Sequence, residues 1–163
     1  MRNSSLVHPY LWAALTLSVF GTQLLEAQSW QQRSTLIHPS PRRAGAMVFD
    51  VVGNRMLLNG GTIASPGQIV SDTWSFNGAT WTHMNSFTTP PARWGHQLVR
   101  DTGNNRLVTF GGRSPSVSGL ANDTWVWDGN DWSPLPTVAA PSPRFRYGMV
   151  YDSTRSRIVL FGG

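Results

Sequence analysis

The chain has 163 residues, enough for one domain. Glycine and proline supply 27 of them, eight are tryptophan, and only 13% are charged. This composition excludes a coiled coil or an acidic disordered chain and is typical of short strands joined by tight turns. All 13 basic residues are arginines spread along the chain, so the net charge of +5 is not evidence for nucleic-acid binding. The absence of cysteine excludes disulfides, thiol nucleophiles and thiolate metal sites.

An apolar segment near the N-terminus predicts an export signal. It covers residues 11–25 and precedes Ala27, a suitable residue for signal-peptidase cleavage. The alternative is an uncleaved membrane anchor, but 15 residues interrupted by Gly21 and Gln23 fall short of the roughly 20 that span a bilayer. We therefore predict a signal peptide over residues 1–27 and no stable membrane span after cleavage. The mature protein would be secreted, periplasmic or on the cell surface.

The rest of the chain repeats with a period of 51 residues. So many coincidences at one spacing identify a true internal repeat. The recurring sets are Arg42, Arg93 and Arg144; Asp50, Asp101 and Asp152; Trp30, Trp81 and Trp132; the glycine pairs at 60–61, 111–112 and 162–163; and the Asp-Thr-Trp triplets at 72–74 and 123–125.

Each repeat predicts four antiparallel strands. The first strand ends at Asp50, and the second runs from Arg55 to Asn59 and closes on the glycine pair. The equivalent second strand of the third repeat, 157–161, is a continuous apolar run that predicts burial on both faces. The aspartate and arginine that flank each first hairpin, such as Asp50 and Arg55, are expected to pair across the loop.

Asn77-Gly78 separates the third and fourth strands and predicts a two-residue type I′ turn. Such a turn would place Trp74 opposite Trp81, and Trp125 opposite Trp132 in the next repeat. Two roles are open for these pairs, packing between sheets or a platform on which sugar rings stack. Recurrence in both repeats favours packing.

An apolar strand closed by diglycine, then an aromatic strand and a single tryptophan about twenty residues on, resembles the kelch repeat. The residues that carry the likeness are VTFGG at 108–112, VLFGG at 159–163, DTWVW at 123–127, Trp132, and a proline-containing triplet that ends in arginine at 91–93 (PAR) and 142–144 (SPR). The resemblance implies β-propeller blades, each a four-stranded sheet, as in the central domain of galactose oxidase. The copper site of that enzyme type uses a cysteine-modified tyrosine, which a chain without cysteine cannot assemble.

The resemblance divides the mature chain into an incomplete ring of about two and a half to three blades. The fourth strand of one blade would cover 28–38, complete blades 39–89 and 90–140, and half a blade 141–163. Since propellers have roughly four to eight blades, we expect this chain to be the N-terminal portion of a longer protein. Its missing C-terminal blades would complete the ring, and without them the chain is expected to associate or to dissolve poorly.

A candidate binding site is predicted where side chains change on a repeating backbone. The loops 62–71 and 113–122 have equal length but almost unrelated sequences, and variable loops on a rigid repeat commonly bind ligands. Ordinary packing between blades is the alternative role for the aromatic members. The candidates are Trp94, His96, Arg113, Phe145, Arg146 and Tyr147.

These features favour an exported, non-catalytic kelch module that binds a protein or carbohydrate through its long-loop face. The four histidines have no metal-ligand spacing, and no phosphate loop or nucleophile elbow is present, so we predict no catalytic residue, metal or cofactor. Nucleic acid is not an expected partner. The alternative is the substrate-binding propeller of an extracellular enzyme, an oxidase or a glycan-acting one, whose catalytic residues lie beyond Gly163.

Overall fold

The computed structural model describes residues 32–64, 67–117 and 119–163. The described strands lie in one compact unit, Thr35–Gly163. The predicted signal peptide over 1–27 and the predicted strand around Trp30 lie outside the described residues. The strands are β1 (Arg42–Arg43), β2 (Ala46–Asp50), β3 (Arg55–Asn59), β4 (Thr62–Ile63), β5 (Thr73–Phe76), β6 (Trp81–Met84), β7 (Gln97–Asp101), β8 (Arg106–Phe110), β9 (Arg113–Ser114), β10 (Gly119–Leu120), β11 (Thr124–Trp127), β12 (Trp132–Pro134), β13 (Gly148–Asp152) and β14 (Arg157–Phe161).

Each complete repeat folds into one four-stranded antiparallel sheet. The first sheet has the order β2-β3-β5-β6 and the second has the equivalent order β7-β8-β11-β12, while β13 and β14 form a hairpin at the same place in the third repeat. The predicted all-β fold of four-stranded antiparallel sheets is therefore confirmed. Its geometry is consistent with consecutive blades of a β-propeller.

The hydrophobic core lies between successive sheets. Adjacent residues of a strand point to opposite faces, so Leu98 packs towards the first sheet and Val99 towards the third repeat. Each fully buried side chain of this size contributes about 1.5–3 kcal/mol. One cluster contains Ala46, Leu57, Leu98, Leu107, Trp127 and Trp132, and the other contains Val99, Val108, Phe110, Tyr147 and Met149.

The predicted hairpin register was wrong by two residues. Phe76 is opposite Trp81, and Trp74 is opposite His83; in the second sheet Trp127 is opposite Trp132. The reason is the side chain of Asn77, whose Oδ1 accepts hydrogen bonds from the amides of Ala79 and Thr80 at 2.9 and 2.8 Å. This Asx-type bonding stabilises a four-residue loop in place of a two-residue turn.

The predicted packing of tryptophan between sheets is confirmed at Trp132. This side chain is 1% exposed, and its ring centroid lies 5.4 Å from that of Trp127. Its indole Nε1 donates to Thr73 Oγ1 of the first sheet at 2.9 Å. Trp132 is therefore not available as a sugar-stacking platform.

The strand of the third repeat is not buried on both faces as predicted. Ile158 and Leu160 of β14 pack against the second sheet, whereas Val159 and Phe161 remain 43% and 86% exposed. The reason is that β14 pairs with β13 and that no further sheet covers its other face within the described residues.

The predicted ion pairs across the first hairpins form in two of the three repeats. Arg55 lies 3.5 Å from Asp50, and Arg106 lies 3.1 Å from Asp101. Asp50 is also bound by Arg100 of the second sheet at 3.0 Å, so this carboxylate links two sheets. In the third repeat the prediction was wrong, because Asp152 pairs with Arg155 at 2.9 Å instead of Arg157.

Candidate binding face at the long-loop end

The antiparallel order of the strands gives the unit two distinct ends. One, the long-loop end, carries the connections between second and third strands and between successive sheets; the other, the short-turn end, carries the tight hairpins. In residue numbers, the long-loop end is 41–46, 59–64, 67–73, 84–97, 110–117, 119–124, 134–148 and 161–163, and the short-turn end is 50–55, 76–81, 100–106, 127–132 and 152–157.

A buried arginine anchors the long-loop end of each complete sheet. Arg93 donates to both carboxylate oxygens of Asp123, at 2.8 and 2.7 Å, and to the carbonyl of Gly111 at 2.8 Å. Trp125 Nε1 donates to the same carboxylate at 2.7 Å. Partial burial works to raise the pKa of Asp123, but the hydrogen bonds and charge of Arg93, with the Trp125 bond, outweigh it and the pKa is lowered.

The first sheet repeats this unit with Arg42, Asp72, the Gly60 carbonyl and Trp74. The sequence analysis found the repeating arginine and the Asp-Thr-Trp triplet but did not pair them. The signal was available, since arginine precedes aspartate by 30 residues in both repeats.

The glycine pairs join each sheet to the next. The amide of Gly61 donates to the Arg93 carbonyl at 2.8 Å, and that of Gly112 donates to the Arg144 carbonyl at the same distance. Gly60 has φ of +63°, and a Cβ there would lie 2.7 Å from the Arg93 carbonyl oxygen. Glycine is required at this position by both conformation and space.

A second set of backbone bonds links the three repeats at one equivalent position. The amide of Gly95 donates to the Ala44 carbonyl at 2.8 Å, and the amide of Arg146 donates to the Gly95 carbonyl at 2.7 Å. All three residues have left-handed φ angles, +53°, +68° and +55°. The backbone at this end is therefore a rigid lattice on which side chains differ from one repeat to the next.

Both variable loops fold back on themselves. In the first, Thr62 forms a bridge with Ile69 and the Ile63 amide donates to the Gln68 carbonyl at 3.0 Å, while β4 also pairs with β1, so that Thr62 lies opposite Arg43. In the second, β9 pairs with β10, and a 3-10 turn over Pro115–Val117 lies between them. Equivalent bonds close the two loops, from Val70 to Gly61 at 3.0 Å and from Ala121 to Gly112 at 2.9 Å.

Four of the six predicted site residues come together on the surface of this end. The rings of Trp94 and Phe145 meet edge to face with centroids 5.4 Å apart. The Arg146 guanidinium lies 5.3 Å from the Trp94 ring centroid and 5.6 Å from that of Phe145. Arg113 exchanges two backbone hydrogen bonds with Trp94, at 3.0 and 2.9 Å. We call Trp94, Arg113, Phe145 and Arg146 the Arg146 cluster.

The other two predicted residues, His96 and Tyr147, lie in the core. The Tyr147 hydroxyl donates to the Phe110 carbonyl and accepts from the Gln97 amide at 3.3 Å. Burial raises the pKa of Tyr147 to about 12. For His96, burial and then the positive charge of Arg93 lower the pKa to about 3, so its ring is neutral at neutral pH. These side chains fill equivalent places between sheets and are not exposed to a ligand.

No group of three or more histidine, aspartate or glutamate side chains is placed to hold a metal ion within residues 32–64, 67–117 and 119–163. In that same part of the chain, no helix is long and apolar enough to cross a membrane.

Comparison with known proteins gives relatives that are much longer than this chain. It is 33% identical over 148 residues to Adagio-like protein 1 of Oryza sativa subsp. japonica, which covers 85% of this chain and 22% of that protein. It is 32% identical over 149 residues to Adagio protein 3 of Arabidopsis thaliana, covering 85% and 23%. It is also 32% identical over 118 residues to Dynein regulatory complex subunit 7 of Chlamydomonas reinhardtii, covering 69% and 10%. The chain thus spans less than a quarter of the length of each, and no protein-family model matches it.

Proposed function

We propose that this chain is part of a kelch-type β-propeller that binds a protein partner through its long-loop end. The observation that carries the proposal is the Arg146 cluster, where two exposed arginines and two half-buried aromatic residues that break the repeat converge on a backbone that obeys it. Rigid scaffolds with variable surface side chains are the usual arrangement of repeat-protein binding sites.

Two findings support the kelch assignment. Each complete repeat is one four-stranded antiparallel sheet, and its diglycine makes the contact with the next repeat. The Adagio-like relatives match 85% of the chain. One further relative is by its name a subunit of a regulatory complex, which agrees with a role in protein association.

Two apolar sheet faces are exposed in the part of the chain that the structure describes. On the first sheet, Met47 and Phe49 are 54% and 44% exposed, although Leu98, the repeat equivalent of Met47, is buried between sheets. On the third repeat, Val159 is 43% exposed, although Val108, its repeat equivalent in β8, is buried between sheets. We propose that further blades of the same kind cover both faces, in a longer protein or in an associated copy.

Export of the protein is also a proposal and rests on the apolar segment 11–25 followed by Ala27. The test is expression in a secreting host, with the mass of the product measured intact. Loss of residues 1–27 together with recovery outside the cytoplasm supports export. Retention of the intact N-terminus in the cytoplasm contradicts it.

Binding is tested by selecting ligands for the full chain from an unbiased phage-displayed library of random peptides. Hydrogen exchange of the complex then maps the contact. We expect protection at Trp94, in the loop 113–122 and around Arg146. Protection confined to the short-turn end, or failure to select any specific binder, would contradict the proposed function.

A further inference from the structure

The two ends of the unit 35–163 differ in charge. The long-loop end has six arginines and two aspartates, whereas the short-turn end has five of each. The excess positive charge of the unit is therefore concentrated at the end that carries the Arg146 cluster. The long-loop set is Arg42, Arg43, Arg93, Arg113, Arg144 and Arg146 with Asp72 and Asp123; the short-turn set is Arg55, Arg100, Arg106, Arg155 and Arg157 with Asp50, Asp101, Asp128, Asp131 and Asp152.

Three of the long-loop arginines, those outside the repeating set, have side chains that no carboxylate among the described residues holds. Arg43, Arg113 and Arg146 are exposed, and their side chains form no ion pair or hydrogen bond with other residues that the structure describes. Other residue types occupy the equivalent positions elsewhere: Trp94 and Phe145 for Arg43, Thr62 for Arg113, and Ala44 and Gly95 for Arg146. By contrast, the repeating Arg42 and Arg93 are held by aspartates.

Arg146 has the most closely defined surroundings of the three arginines. Its φ of +55° is a conformation that the equivalent Gly95 adopts without strain, so a large side chain is held there against local preference. Its guanidinium rests on the Trp94 and Phe145 rings at 5.3 and 5.6 Å. Stacking on aromatic faces orients the planar fork and leaves its N–H groups available to a carboxylate.

We propose that the long-loop end binds an acidic peptide segment of its protein partner. One carboxylate would pair with the Arg146 guanidinium, a neighbouring apolar side chain would contact Trp94 and Phe145, and further acidic residues would be attracted by Arg43 and Arg113. Charge complementarity over a small apolar surface favours this ligand. A nucleic acid is less suited, because the Arg146 cluster presents one guanidinium held on two aromatic rings, whereas a phosphate backbone is bound by larger sets of basic side chains. The inference rests on the proposed binding role of this end.

The test uses the peptides selected from the random library on the full chain. We expect them to be enriched in aspartate and glutamate beside an apolar residue. The strongest, labelled with fluorescein, is titrated by fluorescence anisotropy against the wild type and against Arg43→Gln, Arg113→Gln and Arg146→Gln. Glutamine removes the charge while keeping a long side chain. We expect Arg146→Gln to weaken binding about tenfold or more, and affinity to fall as NaCl rises from about 0.1 to 0.5 M.

The matched control is Arg157→Gln, which removes an exposed arginine from the short-turn end. It is expected to bind like the wild type, and urea unfolding of each variant separates lost binding from lost folding. Selection of neutral or basic peptides that still protect the long-loop end overturns this inference and leaves the proposed function standing. Equal binding by Arg146→Gln overturns it as well. Tighter binding of a fluorescein-labelled oligothymidylate than of the acidic peptide overturns it in favour of nucleic acid.

Discussion

Arg93 and Asp123 form a two-point ion pair that closes the second sheet, with Nη1–Oδ1 and Nη2–Oδ2 distances of 2.8 and 2.7 Å. Only the arginine is fully buried, since its side chain is 1% exposed and that of Asp123 is 38% exposed. The Arg93 carbonyl also accepts the Gly61 amide of the first sheet. One residue therefore ties its own sheet together and joins it to its neighbour.

Substitution Asp123→Ala is expected to destabilise the fold, because it leaves the buried Arg93 guanidinium without its counter-charge. The loss should be about 2 kcal/mol, below the roughly 3–5 kcal/mol of fully buried pairs because water reaches Asp123. Urea unfolding followed by tryptophan fluorescence measures it. Arg155→Ala, which breaks the exposed pair with Asp152, is the control and should change little. Equal effects of the two substitutions would refute the anchoring role.

Lowering the pH below about 6.5 should destabilise the protein, and His96 should account for most of this loss down to about pH 4. The unfolded chain takes up a proton at this histidine near pH 6.5, but the folded chain does so only near pH 3. Stability is therefore full above pH 6.5 and falls as the pH is lowered, by on the order of 1.4 kcal/mol per pH unit. Asp72, Asp101 and Asp123 also have lowered pKa values, and the stability that these carboxylates contribute is lost only below about pH 4.

Urea unfolding between pH 7 and pH 4.5 isolates the histidine contribution. His96→Gln removes the titrating group and should flatten the slope over this range. An unchanged slope in that variant would assign the acid sensitivity to other groups.

Gly60→Ala is expected to destabilise more than a glycine substitution at a turn. It places a methyl group 2.7 Å from the Arg93 carbonyl oxygen and also strains a φ of +63°. Gly78→Ala carries strain alone, since nothing lies within 4 Å of its Cβ position, and should cost about 1 kcal/mol. Thermal unfolding compares the two. Similar losses would show that the close approach of the sheets relaxes at little cost.

Thr73→Val should weaken the contact between the first and second sheets. The Thr73 hydroxyl accepts from Trp132 Nε1 at 2.9 Å and from Asn59 Nδ2 at 3.1 Å, and valine would leave the buried indole donor unpaired. A loss of about 1–3 kcal/mol in the free energy of unfolding is expected. The control is Thr124→Val at the equivalent position of the second sheet, which should be nearly neutral. A neutral result at both sites would mean that the bond contributes nothing.

Much of the fold is predictable from the sequence because the repeat is strict and strand signals are local. The strands, their antiparallel order and the packing of Trp132 were all predictable in this way. The hairpin register was not, since Asn77-Gly78 is compatible with two loop lengths and the side chain of Asn77 selects the longer one. The pairing of Asp152 was also not predictable, since Arg155 and Arg157 are both near it in the sequence and only the structure shows that Arg155 forms the ion pair.

The candidate site was only partly predictable. Positions that break the repeat identified Trp94, Arg113, Phe145 and Arg146, which do meet at one surface. The same criterion selected His96 and Tyr147, which lie between sheets, because a change of side chain signals a change of environment without saying whether that environment is solvent or core.

The period, the strands and the class of fold follow from the amino-acid order, since alternating apolar residues and turn residues act over a few positions along the chain. Which charges are neutralised and which remain exposed depends on how the sheets pack. Arg93 and Arg146 are both arginines of the long-loop end, but Asp123, 30 residues from Arg93, reaches only the first. That outcome depends on distances between sheets, because the strength of an ion pair is set by separation and solvent access in three dimensions.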